Sequence, residues 1–225
     1  MTSTPASFDA VLFDLDGVLT ATSALPAAAW KQAFDAVLGE PFDAERDYLA
    51  HVDGKPRLEG VRDMLRSRGL EPDAELVRSI AARKQALVER ALAVGGVDAF
   101  PGSVSWVEKL RSEGVLTAVV SSSSNARAVL GAAGIEGLFD VTVDGAEVAR
   151  LGLRGKPAPD GFLAAAGRLG VLPHGAVVVE DALAGVAAGR AGAFGLVIGV
   201  ARGAAPAALL AAGADIVVDD LGELM

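Results

Sequence analysis

A doubly wound parallel α/β sheet interrupted by an all-helical insertion is the fold that the chain predicts. Short apolar runs rich in β-branched residues alternate with longer helical patterns, as they do where strands are covered on both faces. That alternation implies right-handed βαβ crossovers within one sheet. From about Thr22 to Gly96 it stops, and only helical patterns remain.

The first strand is expected over Phe8 to Phe13. The insertion follows with helices near Pro26 to Val37, Leu58 to Ser67 and Ala74 to Ala93, and its exit is marked by Gly95, Gly96 and then Pro101-Gly102, a hinge and turn signal. A helix from Ser103 to Glu113 closes before Gly114 and leads to a strand at Leu116 to Val120. The helix Ala126 to Ala133 stops at Gly134, and Val141 to Val143 is the next strand. Pro159 to Leu169 stops at Gly170, Ala176 to Val179 is a strand, and Ala182 to Ala191 stops at Gly192. Gly195 to Ile198 and Ile216 to Val218 complete the sheet. This places the sheet-bearing core at 1–21 and 97–225 and the helical insertion at 22–96.

Composition narrows the function. The 225 residues are 52% hydrophobic and 22% charged, enough apolar surface for a packed core. Twenty Lys and Arg against 29 Asp and Glu give a net charge of -9, which opposes a polyanionic nucleic-acid partner. It does not oppose a small phosphorylated ligand, because a divalent cation and a few basic side chains reverse the sign of a pocket. Without cysteine there is no disulfide framework and no thiolate chemistry. Met1 to Ser7 carries no basic residue, and the apolar stretches near Gly192 to Ala201 and Ala204 to Ala214 are too short or too Gly-rich to span a bilayer. The expectation is a cytoplasmic monomer with no membrane or nucleic-acid partner.

In open α/β sheets ligands sit beyond the carboxyl ends of the strands, and four groups of chemistry-bearing residues lie there. The first strand runs into Phe13-Asp14-Leu15-Asp16-Gly17-Val18-Leu19-Thr20, two carboxylates two residues apart. The second ends in Ser121-Ser122-Ser123-Ser124-Asn125, ahead of a helix. Gly155-Lys156-Pro157 puts a Lys on a proline-bounded loop, and Val177-Val178-Val179-Glu180-Asp181 ends a strand in adjacent carboxylates. Singly these read as a turn, a helix cap, a solvated cation and an acidic helix start. Jointly they are complementary: hard carboxylate oxygens suit Mg²⁺, a carboxylate can be phosphorylated covalently, and Lys and Ser can hold phosphoryl oxygens.

In that order these residues resemble the four motifs of the haloacid dehalogenase superfamily of phosphotransferases. The resemblance implies Asp14 as nucleophile, Asp16 as general acid and base, and Ser121 and Lys156 as the phosphoryl clamp. It also implies a Mg²⁺ cofactor held by Asp14, Asp16, Glu180 and Asp181, and makes the helical insertion a cap that excludes water and selects the substrate.

Three further segments are similar to the β-phosphoglucomutase-like branch: the loop Val52-Asp53-Gly54-Lys55-Pro56-Arg57, the stretch Ala82-Arg83-Lys84-Gln85, and Ser123-Ser124-Asn125. By that likeness Arg57, Lys84, Ser123 and Asn125 hold a second, non-transferring phosphate of a small sugar phosphate. Two positions depart from the branch: Ala21 stands where an Asp is usual, and Pro26 where a His on the first cap helix is usual. The departures leave a sugar-phosphate phosphatase open beside a mutase, with a noncatalytic sugar-phosphate binder as a further rival. His51, His174 and Trp30 read as structural, Trp30 as core of the first cap helix. A dinucleotide fold is excluded because no Gly-x-Gly-x-x-Gly follows the first strand.

Overall fold

The computed structural model describes residues 8–22, 24–52, 55–94 and 96–225. Expectations placed on Met1 to Ser7, on Asp53, Gly54 and Gly95, and on the side chain of Pro26 lie outside the described residues.

One six-stranded parallel sheet is formed by β1 (Ala10–Phe13), β2 (Leu116–Val120), β3 (Val141–Val143), β4 (Ala176–Glu180), β5 (Leu196–Val200) and β6 (Ile216–Val218). Its spatial order is β3-β2-β1-β4-β5-β6. From β1 the chain builds outward to β2 and β3, then crosses back to β4 on the other side. The carboxyl ends of β2 and β4 therefore flank that of β1, the reversal point where open α/β sheets leave a crevice.

Between β1 and the rest of the sheet lie α1 (Ala24–Asp35), a π-helical turn (Tyr48–Val52), α2 (Arg57–Ser67) and α3 (Ala74–Val94). These helices share an apolar core of their own that includes Phe34, Phe42, Val61, Met64, Leu65 and Ile80. Trp30 belongs to it too, stacked on Phe34 at 5.1 Å between ring centres, and Phe34 stacks in turn on Phe42 at 5.1 Å. This agrees with the structural reading of Trp30, which also lines the cleft described below.

Helices α4 (Pro101–Ser112), α5 (Ala126–Ala132), α6 (Gly145–Arg150), α7 (Asp160–Leu169), α8 (Leu183–Ala191) and α9 (Pro206–Ala212) cover the sheet. Strand alternation sorts the side chains into two layers. Val11, Phe13, Val119, Val177 and Val179 pack with Trp106, Val107 and Leu110 of α4 and with Val129 and Leu130 of α5. Ala10, Leu12, Ala118, Val120 and Val178 face the other way, against Phe162, Ala165 and Ala166 of α7 and Ala188 of α8. Both layers are buried, which explains why the strand sequences are continuous apolar runs. Among the described residues, no helix is long and apolar enough to cross a membrane.

The structure extends the sequence reading at three places. Helix α4 begins at Pro101, with the proline in its first turn, where its missing N–H is harmless. Ser103 is consequently no cap; its hydroxyl donates to the Val18 carbonyl at 2.7 Å. Helix α6, not expected from the sequence, is capped by Asp144, whose carboxylate accepts from Glu147 N at 2.8 Å. The Ala-rich stretch near Ala204 to Ala214 forms α9, opened by Pro206 and closed by Gly213 at φ +116°.

Phe162 is fully buried on the face that also supports the Lys156 ammonium, 5.0 Å from its ring. Phe162→Ala should lower the unfolding free energy by about 3–5 kcal/mol, as such truncations of buried rings do, measured by urea denaturation of the purified chain.

Candidate active site

The site starts from a backbone necessity. Beyond β1 the chain turns sharply at Gly17, which takes φ +87°. A Cβ there would also collide with the Asp181 carboxylate. Only glycine meets both conditions, and the turn passes directly against the Asp181 carboxylate. Arg202, just past β5, pins this turn: its guanidinium donates to the carbonyls of Gly17 (3.2 Å) and Val18 (2.9 Å), pairs with Asp220 and stacks 3.6 Å over the Phe100 ring.

Lys156 lies at the centre of the charges. Its ammonium donates to Asp14 Oδ1 and to Glu180 Oε1, each at 2.5 Å, and to the Val120 carbonyl at 3.1 Å. The other oxygen of Glu180 accepts from the backbone N–H of Asp181 (3.0 Å) and Ala182 (2.9 Å), which fixes the loop that carries Asp181. The Lys156-Pro157 peptide is cis. Asp14, Glu180, Asp181 and Lys156 are all buried.

Burial raises the Asp14 carboxyl well above the ordinary carboxylate range; Lys156 opposes the shift, and Glu180 and Asp16 add to it. Burial works to lower the Lys156 ammonium, but the carboxylates of Asp14 and Glu180 outweigh it and the net shift is upward, so this lysine is charged at neutral pH. Asp16 is likewise raised by burial, against a hydrogen bond from Thr22 and the charges of Lys84 and Lys156. A carboxyl held up in this way is suited to carry a proton.

Asp14, Glu180 and Asp181 each offer an oxygen, all within 4.8 Å of one another. Three carboxylates against the single ammonium of Lys156 leave an excess of two negative charges when all are ionised. An all-oxygen donor set with that charge fits a hard divalent cation such as Mg²⁺. Asp16, expected among the ligands, is not part of this cluster; its carboxylate accepts from the Thr22 hydroxyl, itself 2.7 Å from the Thr20 hydroxyl.

Ser121 is buried at the end of β2, where its hydroxyl accepts from Ser123 N at 3.1 Å, and Ser123 Oγ accepts from Asn125 N at 3.2 Å. Asn125 stands at the N-cap of α5 without a side-chain cap bond; its amide turns instead to Gln85 of α3. Simple capping therefore does not account for this row of polar residues.

One cleft of about 540 Å³ takes in all of the expected residues. Asp14, Asp16, Ser121, Lys156, Glu180 and Asp181 line it from the sheet; Arg57, Lys84 and Trp30 line it from the helical segment; Ser123 and Asn125 lie between. Lys84 is 7% exposed, with its ammonium 5.3 Å from the Trp30 ring. Burial lowers its pKa to about 8, with Asp16 opposing and Arg57 reinforcing the shift. Among the described residues, neither Arg57 nor Lys84 has a carboxylate within 4.0 Å. At longer range Arg57 feels the charge of Glu89 and Lys84 that of Asp16; a phosphate entering the cleft could pair directly with both cations.

Sequence reasoning missed Thr22, Arg202 and Gln85 as parts of this architecture. Only Arg202 carried a usable signal, since it follows a strand's carboxyl end. His51 is held by Asp63 at 3.2 Å, and His174 sits in a short 3-10 turn (Pro173–Gly175), both consistent with structural roles. Ala21 is exposed.

With this fold and this ring of charges, the chain belongs to the haloacid dehalogenase-like hydrolase family, whose model matches residues 8–192, and it is an enzyme of the phosphotransferase and phosphatase class. Within that family it is similar to β-phosphoglucomutases: it is 45% identical to the one from Mycobacterium tuberculosis over 243 aligned residues, covering 98% of this chain and 93% of that protein. Among solved structures, the β-phosphoglucomutase of Clostridium difficile matches with a TM-score of 0.86 at 27% identity, covering 97% of this chain and 93% of the other. A CbbY variant from Rhodobacter sphaeroides in complex with xylulose-(1,5)bisphosphate matches with a TM-score of 0.80 at 26% identity, covering 96% of each chain.

Gly17→Ala should abolish cation binding. The expected observation is that Mg²⁺ raises the melting temperature of the wild type and leaves that of the variant unmoved, because the added methyl displaces the Asp181 carboxylate.

Proposed function

We propose that the chain is a Mg²⁺-dependent sugar phosphomutase of the β-phosphoglucomutase kind, working through an aspartyl phosphate on Asp14. The observation that carries this reading is the two-ended cleft. The Asp14-Lys156-Glu180 cluster lies on its sheet wall, and Arg57 and Lys84, without carboxylate partners among the described residues, lie on its helical wall. A mutase needs both, because its bisphosphate intermediate must present either end to the nucleophile while the other is held. Residues 22–96 would act as the cap over a core of 1–21 and 97–225.

In the first half-reaction an Asp14 carboxylate oxygen attacks phosphorus, the ester P–O bond breaks, and Asp16 gives its proton to the leaving oxygen. In the second, a sugar hydroxyl transfers its proton to Asp16 and attacks the aspartyl phosphate; the acyl phosphate bond breaks and the Asp14 carboxylate is restored. Lys156 and Ser121 hold the phosphoryl oxygens, and Thr22 orients Asp16. Asp14, Glu180 and Asp181 would hold Mg²⁺, which when bound offsets the repulsion between carboxylate and phosphate. Arg57, Lys84, Ser123 and Asn125 grip the remote phosphate, Arg through its fork and Lys as a point charge. The relatives named as β-phosphoglucomutases support this choice of substrate class, and the bisphosphate complex of CbbY supports a cleft that takes two phosphates. A cytoplasmic location accords with small phosphorylated metabolites as substrates.

Phosphorus NMR of the protein with Mg²⁺, β-glucose 1-phosphate and a trace of β-glucose 1,6-bisphosphate tests the reading. Glucose 6-phosphate should accumulate without inorganic phosphate. Release of inorganic phosphate instead would make the enzyme a phosphatase, the outcome for which Ala21 and Pro26 leave room. Lys156→Ala should lower kcat by roughly 10² or more, since a preorganised charge at the reacting phosphoryl group is lost.

Lys84 adds a pH prediction. Its folded pKa of about 8 means that it is charged below that value and neutral above it. The kcat/KM for a substrate with a remote phosphate should therefore fall as pH rises through about 8. In Lys84→Arg the fall should disappear from that range, because guanidinium stays protonated there.

A further inference from the structure

Arg57 and Asn125 approach the cleft from different parts of the molecule, Arg57 from the start of α2 and Asn125 from the N-cap of α5. One side chain joins them. Gln85, on α3, accepts on Oε1 from the Arg57 guanidinium and, at 3.2 Å, from Asn125 Nδ2. Its Nε2 donates to Asn125 Oδ1 and, at 2.7 Å, to Glu89 Oε1 one turn further along the helix.

The arrangement permits one orientation of the amides. A carboxylate only accepts and a guanidinium only donates, so Glu89 fixes the nitrogen of Gln85 on its side and Arg57 fixes the oxygen on the other. Asn125 is then oriented as well, because its amide pairs reciprocally with that of Gln85, and the flipped form would set donor against donor. All four bonding positions of the Gln85 amide are taken up. Among the described residues, most N–H groups of Arg57 and one of the side-chain amide of Asn125 remain for a ligand. The partner is neutral, so it aligns the guanidinium without cancelling its charge, as a carboxylate at this position would.

We infer that Gln85 is the positioning residue of the remote-phosphate site: it aligns Arg57 and Asn125 across the junction between the helical segment and the sheet before a substrate arrives, and so favours substrates that carry a second phosphate. This rests on the two-phosphate reading proposed above. Prealigned donors raise affinity because less motion is frozen on binding, and the benefit is confined to the ligand end that those donors touch.

The test is steady-state kinetics with Mg²⁺ and two substrates, β-glucose 1,6-bisphosphate and p-nitrophenyl phosphate, the second without a remote phosphate. The readout is the ratio of their KM values in wild type, Arg57→Ala, Gln85→Leu and Gln85→Glu. The wild type should prefer the bisphosphate and Arg57→Ala should lose the preference. Gln85→Leu should lose about tenfold of it, the worth of roughly one or two hydrogen bonds. Gln85→Glu should lose more, since its carboxylate neutralises Arg57 and cannot donate to Asn125 or Glu89. If the wild type shows no preference, the two-phosphate reading fails and this inference fails with it. If Arg57→Ala loses the preference while both Gln85 variants keep it, or the Gln85 variants depress kcat for both substrates with the KM ratio unmoved, the inference alone is overturned.

Discussion

A single ammonium ties three neighbouring strand ends together. Lys156 reaches from its loop to Asp14 just beyond β1, to the carbonyl of Val120 in β2 and to Glu180 at the end of β4. These are three adjacent strands of the sheet, and they include the central pair at its reversal point. The contact is buried, so neither carboxylate can fall back on water, and removing one partner of such a cluster typically costs about 3–5 kcal/mol because an uncompensated charge stays behind. Position and charge are therefore set together. The geometry that holds the sheet edge also holds Asp14 beside Glu180 and Asp181, with a negative excess that a divalent cation is suited to balance.

The rest of the cleft answers that negative end with a positive one. Trp30, Phe34 and Phe42 stack to give the helical segment a rigid core, and Lys84 is pressed against the first of these rings. Burial depresses Lys84 while Asp16 supports its charge, so the two walls are electrostatically aware of each other through this pair. Gln85 makes the hydrogen-bonded link between them. On the mutase reading proposed above, a substrate with negative charge at both ends would meet a prepared group at each. A water molecule, carrying no remote charge, would gain nothing from Arg57 or Lys84, which is how a mutase can favour a sugar hydroxyl over hydrolysis.

Much of this was legible in the sequence because strand ends are easy to find. Asp14, Asp16, Ser121, Glu180 and Asp181 lie at or just beyond the ends of apolar runs, Lys156 stands on a loop bounded by Gly155 and Pro157, and the order of the runs predicts the sheet. All of them line the cleft. The contacts of Arg202 and Gln85 were not legible, since their partners are distant in sequence: Arg202 lies 185 positions from the Gly17 carbonyl that it holds, and Gln85 lies 40 from Asn125. Thr22 lies only six positions from Asp16, but the bond between them depends on the turn that follows β1. Helices α6 and α9 were hidden for a local reason. One is a short six-residue helix and the other is so rich in alanine that it shows little amphipathic period. Asp16 shows what motif reading leaves open: the resemblance groups it with the other carboxylates, whereas its side chain is engaged by the hydroxyl of Thr22 and lies outside the cluster of Asp14, Glu180 and Asp181.

Covalent chemistry at Asp14 is the central requirement of the proposed reaction. The decisive measurement is intact-mass spectrometry of acid-quenched protein after mixing with Mg²⁺ and β-glucose 1,6-bisphosphate, followed by peptide mapping. The account predicts a gain of one phosphoryl group, lost on alkaline treatment, located on the peptide that contains Asp14 and missing in Asp14→Asn. An adduct that persists in Asp14→Asn, or that maps to another residue, would contradict it.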